Sequence, residues 1–330
     1  MATSKERLEF VFRLLASAQE RERLTGATEL IELAHEPELA TDVRPKVLEL
    51  LANEEPQLRA AGVRCLAALA TGTDLVPLLE KAVRDTEPAV RREAARALAG
   101  LEERAAIPAL SAGLSDSDAQ VQFEAALGLA ALNDRSGVQI LLAGVDDKVR
   151  RFFALGALAR LGEERAREPA QRILSKRLFM SDFERTQAAG LLAKLGSDDG
   201  KAYLLDRIRR ARADDRGLAM EVCGELKLKD AVAPLREAMA DKRELFRGTA
   251  ARSLGLLRDA DSTTALVAMA RSAEEDFEVR CDAMEGLMFL RTPDALAALH
   301  ALSSSGESDD VRDAANDALS WLQRHPEGGS

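Results

Sequence analysis

The chain has 330 residues and a formal charge of −10, and its apolar 46% comes mainly from Ala, Leu and Val, with aromatics at only 4%. So acidic a chain is poorly suited to gripping nucleic-acid phosphates, and no nucleic-acid partner is expected. No uncharged apolar run approaches the roughly 18 residues of a membrane helix, and Met1-Ala2-Thr3-Ser4-Lys5-Glu6-Arg7 lacks the apolar core of a signal peptide, so no membrane insertion is expected and the chain reads as cytoplasmic.

The first elements are two amphipathic helices, Arg7 to Ala18 and Arg21 to Ala34, with Phe10 and Phe12 in the first. Val43 to Asn53 supplies the first helix of a unit that ends near Ala70. From Leu58 onward one pattern recurs nine times, with later copies starting at Val90, Val121, Arg150, Glu184, Asp215, Phe246, Val279 and Val311. Successive starts lie 29 to 34 residues apart. A period near 30 with a small-residue helix in every unit is the signature of a helical solenoid. Strict apolar/polar alternation is absent, so an all-α chain without strands is expected.

Residues 74 to 101 show how one unit is built. Asp74 can cap a helix from about Leu75 to Arg84, with Pro77 in its first turn. Asp85-Thr86-Glu87-Pro88 makes a turn, because Pro disfavours helix for the residue before it and starts a new one well. The second helix then runs from about Pro88 to Leu101, with Val90, Ala94, Ala95, Leu98 and Leu101 on one face. Neither helix can bury its stripe alone, so stacking is obligatory.

A helix, an Asp-containing turn and then Val-Arg-x-x-Ala-Ala-x-x-Leu-x-x-Leu resembles the HEAT-repeat family, most closely its bacterial branch typified by phycobilin-lyase HEAT-like repeats. The likeness covers about residues 55 to 324. It implies an α-α superhelix of about ten helix pairs, a single HEAT-like solenoid over 1–324. Residues 1–57 form an atypical N-terminal cap, 58–309 the regular repeats, 310–324 a capping helix and 325–330 a disordered tail. The resemblance also implies a ladder of turn acids and second-helix arginines along the stack. Asp85 to Arg91 and Asp241 to Arg247 share a separation of six; Glu274 to Arg280 and Asn53 to Arg59 are variants. Asp116 faces Gln122, and the copies at 184, 215 and 311 lack a matched acid, so the ladder is broken.

Catalytic chemistry finds little support. Cys65, Cys223 and Cys281 lie in helical copies without metal spacing and read as small buried residues. His35, His300 and His325 are too scattered for a metal triad. His35-Glu36 resembles one element of the iron-binding pairs of HEAT-repeat hydroxylases, which need several. No phosphate loop, nucleophile elbow or zinc-protease helix occurs. Gly196-Ser197-Asp198-Asp199-Gly200 reads as an acidic inter-helix turn. No enzyme activity, cofactor or metal is expected.

Function must then lie on the surface. HEAT families line a concave face with their second helices, so the outward positions +2, +3, +6 and +10 of each copy are informative. Arg92, Glu93, Arg96 and Gly100 form an ordinary solvated set, but the next copies place Phe123 and then Phe152 and Phe153 there. They read either as a contact patch for a protein partner or as filling for an irregular copy at Arg150, whose stripe is shifted by one. The connection Ser175 to Phe183, containing Phe179, is unusually apolar. Arg207, Arg209, Arg210 and Arg212 make a basic island, and Met284, Met288, Phe289 and Trp321 a third candidate. The expected role is a scaffold or adaptor that binds a helix or extended segment of a protein partner. The alternatives are a phycobilin-lyase-like cofactor-handling subunit and a structural component of a larger assembly.

Overall fold

The computed structural model describes residues 4–36, 39–69, 75–101, 103–176, 180–210, 213–304 and 308–325. Among them there are twenty α-helices and no strand. They pair first helix against second into ten repeats, grouped in two compact units, residues 1–161 and 162–330. In the first unit the pairs are α1 (Ser4–Leu15) with α2 (Glu20–Ala34), α3 (Ala40–Leu51) with α4 (Pro56–Ala68), α5 (Leu75–Ala82) with α6 (Pro88–Gly100), α7 (Ile107–Gly113) with α8 (Ala119–Ala131), and α9 (Val138–Gly144) with α10 (Arg151–Leu161). In the second unit they are α11 (Arg167–Ser175) with α12 (Asp182–Lys194), α13 (Asp198–Arg209) with α14 (Arg216–Glu225), α15 (Val232–Ala240) with α16 (Arg247–Leu256), α17 (Thr263–Arg271) with α18 (Phe277–Leu290), and α19 (Pro293–Ser304) with α20 (Asp309–Arg324). This is an α-α superhelical repeat fold.

The local rules seen in the sequence operate as expected. Pro56 and Pro88 open α4 and α6, where the missing N–H costs nothing. Asp118 caps α8 by accepting from the backbone N–H groups of Gln120 and Val121. Ser181 and Glu184 form a reciprocal capping box on α12. Gly196 turns the chain with φ +85°, and Ser197 then caps α13. Two helices start earlier than expected: α1 spans Ser4–Leu15 rather than Arg7 to Ala18, and α3 begins at Ala40 rather than Val43 and carries Pro45 in its second turn, at the loss of one intrahelical bond. Asp74 and residues 326–330 lie outside the described residues. His325 is packed rather than loose: its ring stacks on Trp321 at 4.3 Å, and its carbonyl accepts from Arg291.

The apolar stripes meet in two cores. One runs from Leu8 to Leu129 and the other from Ala189 to Ala318. The copy at Arg150 has no shifted stripe. Ala154, Leu155 and Leu158 are buried in register with Ala94, Ala95 and Leu98, and only the first apolar position is lost, to Arg150.

The ladder exists, but its rungs differ from those expected. In several repeats the arginine at the start of the second helix donates to backbone carbonyls before it and reaches forward to an acid of the next repeat. Arg59 Nη1 donates to the carbonyls of Asn53 and Glu54, while its Nε and Nη2 make a bidentate pair with Asp85 at 2.7 and 2.8 Å. Arg91 repeats this with the carbonyls of Asp85 and Thr86 and the carboxylate of Asp116. Arg23 does so with Ser17 and Glu55. Gln122 keeps only the turn-closing bond, to the Asp116 carbonyl. In the second unit Arg216 pairs with Glu244 and Arg247 with Glu275, so the copy at 215 is served by the following repeat. Asp241 pairs instead with Arg243, and Arg280 donates to the Ala270 carbonyl.

The Arg59 and Arg91 guanidinium groups hold the Asp85 and Asp116 carboxyls below the usual aspartate range. Their contribution to stability is therefore complete above the unfolded-state pKa near 4 and is lost as pH falls through the lowered folded values. Asp116→Asn leaves Arg91 underpaired in a largely buried setting. It is expected to cost about 1–3 kcal/mol at pH 7. Urea unfolding of both proteins at pH 7 and near pH 3 checks this, and the gap between them should shrink at the lower pH.

Candidate functional site

Second-helix positions that face away from the stripe carry a continuous polar network in the first unit. Arg64 on α4 pairs with Glu93 on α6 at 3.6 Å. Glu93 also meets Arg96, and Arg96 reaches Glu124 on α8 at 2.6 Å. Gln120 donates to Glu124 and accepts from Arg150, at the entry to α10. Arg92 lies 3.8 Å from Asp118. The two charges sit at different depths. The Arg64 and Arg96 side chains are 44% and 58% exposed, against 21% for Glu93 and 10% for Glu124. This contrast is invisible in the sequence, where Arg92, Glu93 and Arg96 look like an ordinary solvated set. The signal available was an acid at +3 beside an arginine at +6 in consecutive copies.

The aromatic candidates separate. Phe123 is 2% exposed and belongs to the core, which corrects its reading as an outward anchor. Its ring fills the space over Gly144 on α9, where a Cβ would come within 2.8 Å of Cε2. Arg150 covers that ring with its guanidinium 5.2 Å from the centroid. Phe152 and Phe153 do come together, edge to face at 5.3 Å, and Phe153 is 56% exposed. Val149, just before them, is also exposed. Leu127 on α8, in the same outward row, is half-buried. Phe179 lies outside the described residues.

The basic island also separates. Arg207 points inward and pairs with the fully buried Asp215 and with Asp182. Thr186 donates its hydroxyl to the same Asp215 carboxylate. Tyr203 lies between Arg185 and Arg207, with ring-to-guanidinium distances of 4.9 and 6.0 Å. Arg207 is therefore a structural tie that binds α12, α13 and the start of α14. Only Arg209 and the Asp206-paired Arg210 are exposed, and Arg212 lies outside the described residues.

The second unit has a surface of the opposite sign. Glu221 on α14, Arg252 on α16 and Glu285 on α18 form a row, with Arg252 2.7 Å from Glu285 and 3.9 Å from Glu221. Asp282 packs against Gly248, where a Cβ would lie 2.1 Å from its Oδ2. Burial, with Glu285 beside it, pushes the Asp282 carboxyl up to about 6. Phe289 and Trp321 pack edge to face at 5.6 Å and are half-buried, while Met284 and Met288 are core.

Covalent and metal chemistry gains no footing among the described residues. Burial pushes the Cys65 and Cys223 thiols up to about 12, so both are protonated at neutral pH and inert as nucleophiles. No group of His, Cys, Asp and Glu there could hold a metal ion, and no helix is long and apolar enough to cross a membrane. What this surface can do is hold another chain: guanidinium groups for carboxylates and exposed phenyl rings for apolar anchors.

The profile of the HEAT-repeat family matches residues 75–152 and 211–277. Those two stretches carry HEAT repeats. Solved structures agree on the fold. The complex of CpcE and CpcF of phycocyanin lyase from Nostoc is similar over 78% of this chain and 92% of its own, at 18% identity and a TM-score of 0.50. A Kap121p mutant is similar over 97% of this chain and 45% of its own, at 13% identity and a TM-score of 0.52. At these identities the likeness concerns the HEAT-repeat fold alone. Comparison with curated proteins finds no match.

Two measurements test the assignments of depth. Phe123→Ala empties a core site and is expected to cost about 3–5 kcal/mol, whereas Phe153→Ala should stay within about 0.5 kcal/mol of wild type; equilibrium unfolding compares them. Asp282 has a raised folded pKa, so its penalty is complete above about pH 6, fades as pH falls towards the unfolded value and is absent below it. Asp282→Asn should therefore raise the unfolding midpoint at pH 7, by about 1–2 kcal/mol in stability after allowance for partial solvation, and leave it unchanged near pH 3.5.

Proposed function

We propose that this HEAT-repeat protein is a non-enzymatic scaffold that holds a segment of a protein partner on the second helices of its first unit. The observation that carries this reading is the Phe152–Phe153 pair, with one ring more than half exposed beside an exposed Val149. At the corresponding places α4 carries Ala60 and Ala61 and α6 carries Arg92 and Glu93, and an exposed apolar break beside such a polar row is a contact signature. Rigid presentation suits the task. The ladder at Arg23, Arg59 and Arg91 ties each of those repeats to the next, which lowers the ordering cost on binding. Arg209 and Arg210 are left as a minor polar contact of the second unit, and Arg207 is withdrawn from the binding role.

A second reading follows from the fold likeness to the CpcE–CpcF complex: a subunit of a two-chain, bilin-handling assembly. An absorbance shift on mixing with a free bilin would favour it, and an unchanged spectrum would count against it.

Affinity capture from source lysate tests the scaffold, with wild type beside Phe152→Ser/Phe153→Ser. Both must give the same helical circular dichroism. A protein held by wild type and lost from the variant is the expected result. Equal capture by both proteins removes the aromatic pair from the function.

A further inference from the structure

The Arg64–Arg92–Arg96 row next to Phe152–Phe153 deepens the proposed function and rests on it. We propose that the surface running from α4 to α10 takes an acidic segment, its carboxylates on the three arginines and one apolar side chain on the phenylalanine pair.

Four observations converge. First, the row is contiguous: Arg64 to Glu93 to Arg96 to Glu124 to Gln120 to Arg150 is an unbroken series of contacts that crosses three second helices and reaches the entry to α10, the helix that carries the aromatic pair. Second, its charges are layered. The glutamates lie beneath and the guanidinium groups above, so the solvent side of the layer is positive although the whole chain is −10. Third, the outer arginines keep unused donors. A guanidinium has five N–H groups, and Arg64 meets its acid at 3.6 Å and Arg92 at 3.8 Å, both longer than a formed hydrogen bond. A carboxylate arriving from outside can take bidentate bonds that the buried glutamates do not. Fourth, the apolar break lies at one end of the row, in Leu127, Phe152 and Phe153, so charge and apolar recognition share one track. A nucleic acid fits this less well: the carboxylates under the arginines and the −10 chain repel an extended polyanion, while a short acidic segment meets only the positive layer.

The test uses the full chain and a phage-displayed random-peptide library as the probe. Peptides selected on wild type should be enriched in Asp and Glu together with a Leu or Phe, and the binding of a selected peptide should weaken as salt is raised. Arg64→Ala/Arg92→Ala leaves the Arg96–Glu124 pair intact, so its fold should hold, as thermal unfolding will show. It should weaken the selected peptide about tenfold or more. Phe152→Ser/Phe153→Ser should remove the apolar preference and leave the acidic one. A pool without acidic enrichment, or one rich in Lys and Arg, overturns the inference. If such a pool still depends on Phe152 and Phe153, the scaffold reading survives without it. A labelled single-stranded oligonucleotide that binds wild type and is lost from the arginine variant would also overturn it, assigning the row to phosphates.

Discussion

Adjacent second helices approach so closely that at several points a single methyl group is too much. A Cβ on Gly255 would sit 2.2 Å from the carbonyl oxygen of Gly286, and one on Gly286 would sit 2.7 Å from that of Ala251. On the other unit a Cβ on Gly128 would lie 2.8 Å from the Cβ of Ala99. This spacing explains the composition. Ala and Gly take the points of closest approach because nothing larger fits there, while Leu fills the rest of the inward face, and each repeat depends on its neighbours for burial. Polar ties must then fix the register. Arg23, Arg59 and Arg91 do so, each closing its own turn and gripping the next repeat's acid with one side chain. Where the arginine is replaced, as at Gln122, the turn is still closed and only the forward grip is lost.

The same spacing decides which side chains can serve function. Large residues are excluded from the seam between second helices, so they go inward over a first helix or outward into solvent. Phe123 took the first route because Gly144 leaves room for a ring on α9. Phe153 took the second. Phe123 stands at +2 of its copy and Phe153 at +3 of the next, so they leave their helices on different sides, and Gly144 leaves the room that the Phe123 ring fills.

That contrast marks the limit of what could be read in the chain. Helix pairs, their caps and most boundaries were legible, because each rests on local rules: a Pro that opens a helix, an Asp or Ser that caps it, an apolar residue every three or four positions. The ladder was half legible. Its residues were visible at a separation of six, but the bond runs to the next repeat, and the local pairing of Asp85 with Arg91 is a main-chain contact instead. Depth was the part least written in the sequence. Arg207 and Arg209 are neighbours in a run of arginines, yet one is locked to the buried Asp215 and the other is exposed. The deciding partner of Arg207 lies on a different helix.

Depth also gives the surface its meaning. In a repeat fold the polar rows that join second helices are primarily structural, and a row in which both charges were equally exposed would give a partner nothing that solvent does not. In the first unit Glu93 and Glu124 lie beneath Arg64 and Arg96, so one sign of charge is spent inside the stack and the other is displayed. The second unit does not sort its charges in this way: Arg252, 39% exposed, stands between Glu221 and Glu285 at 44% and 45%.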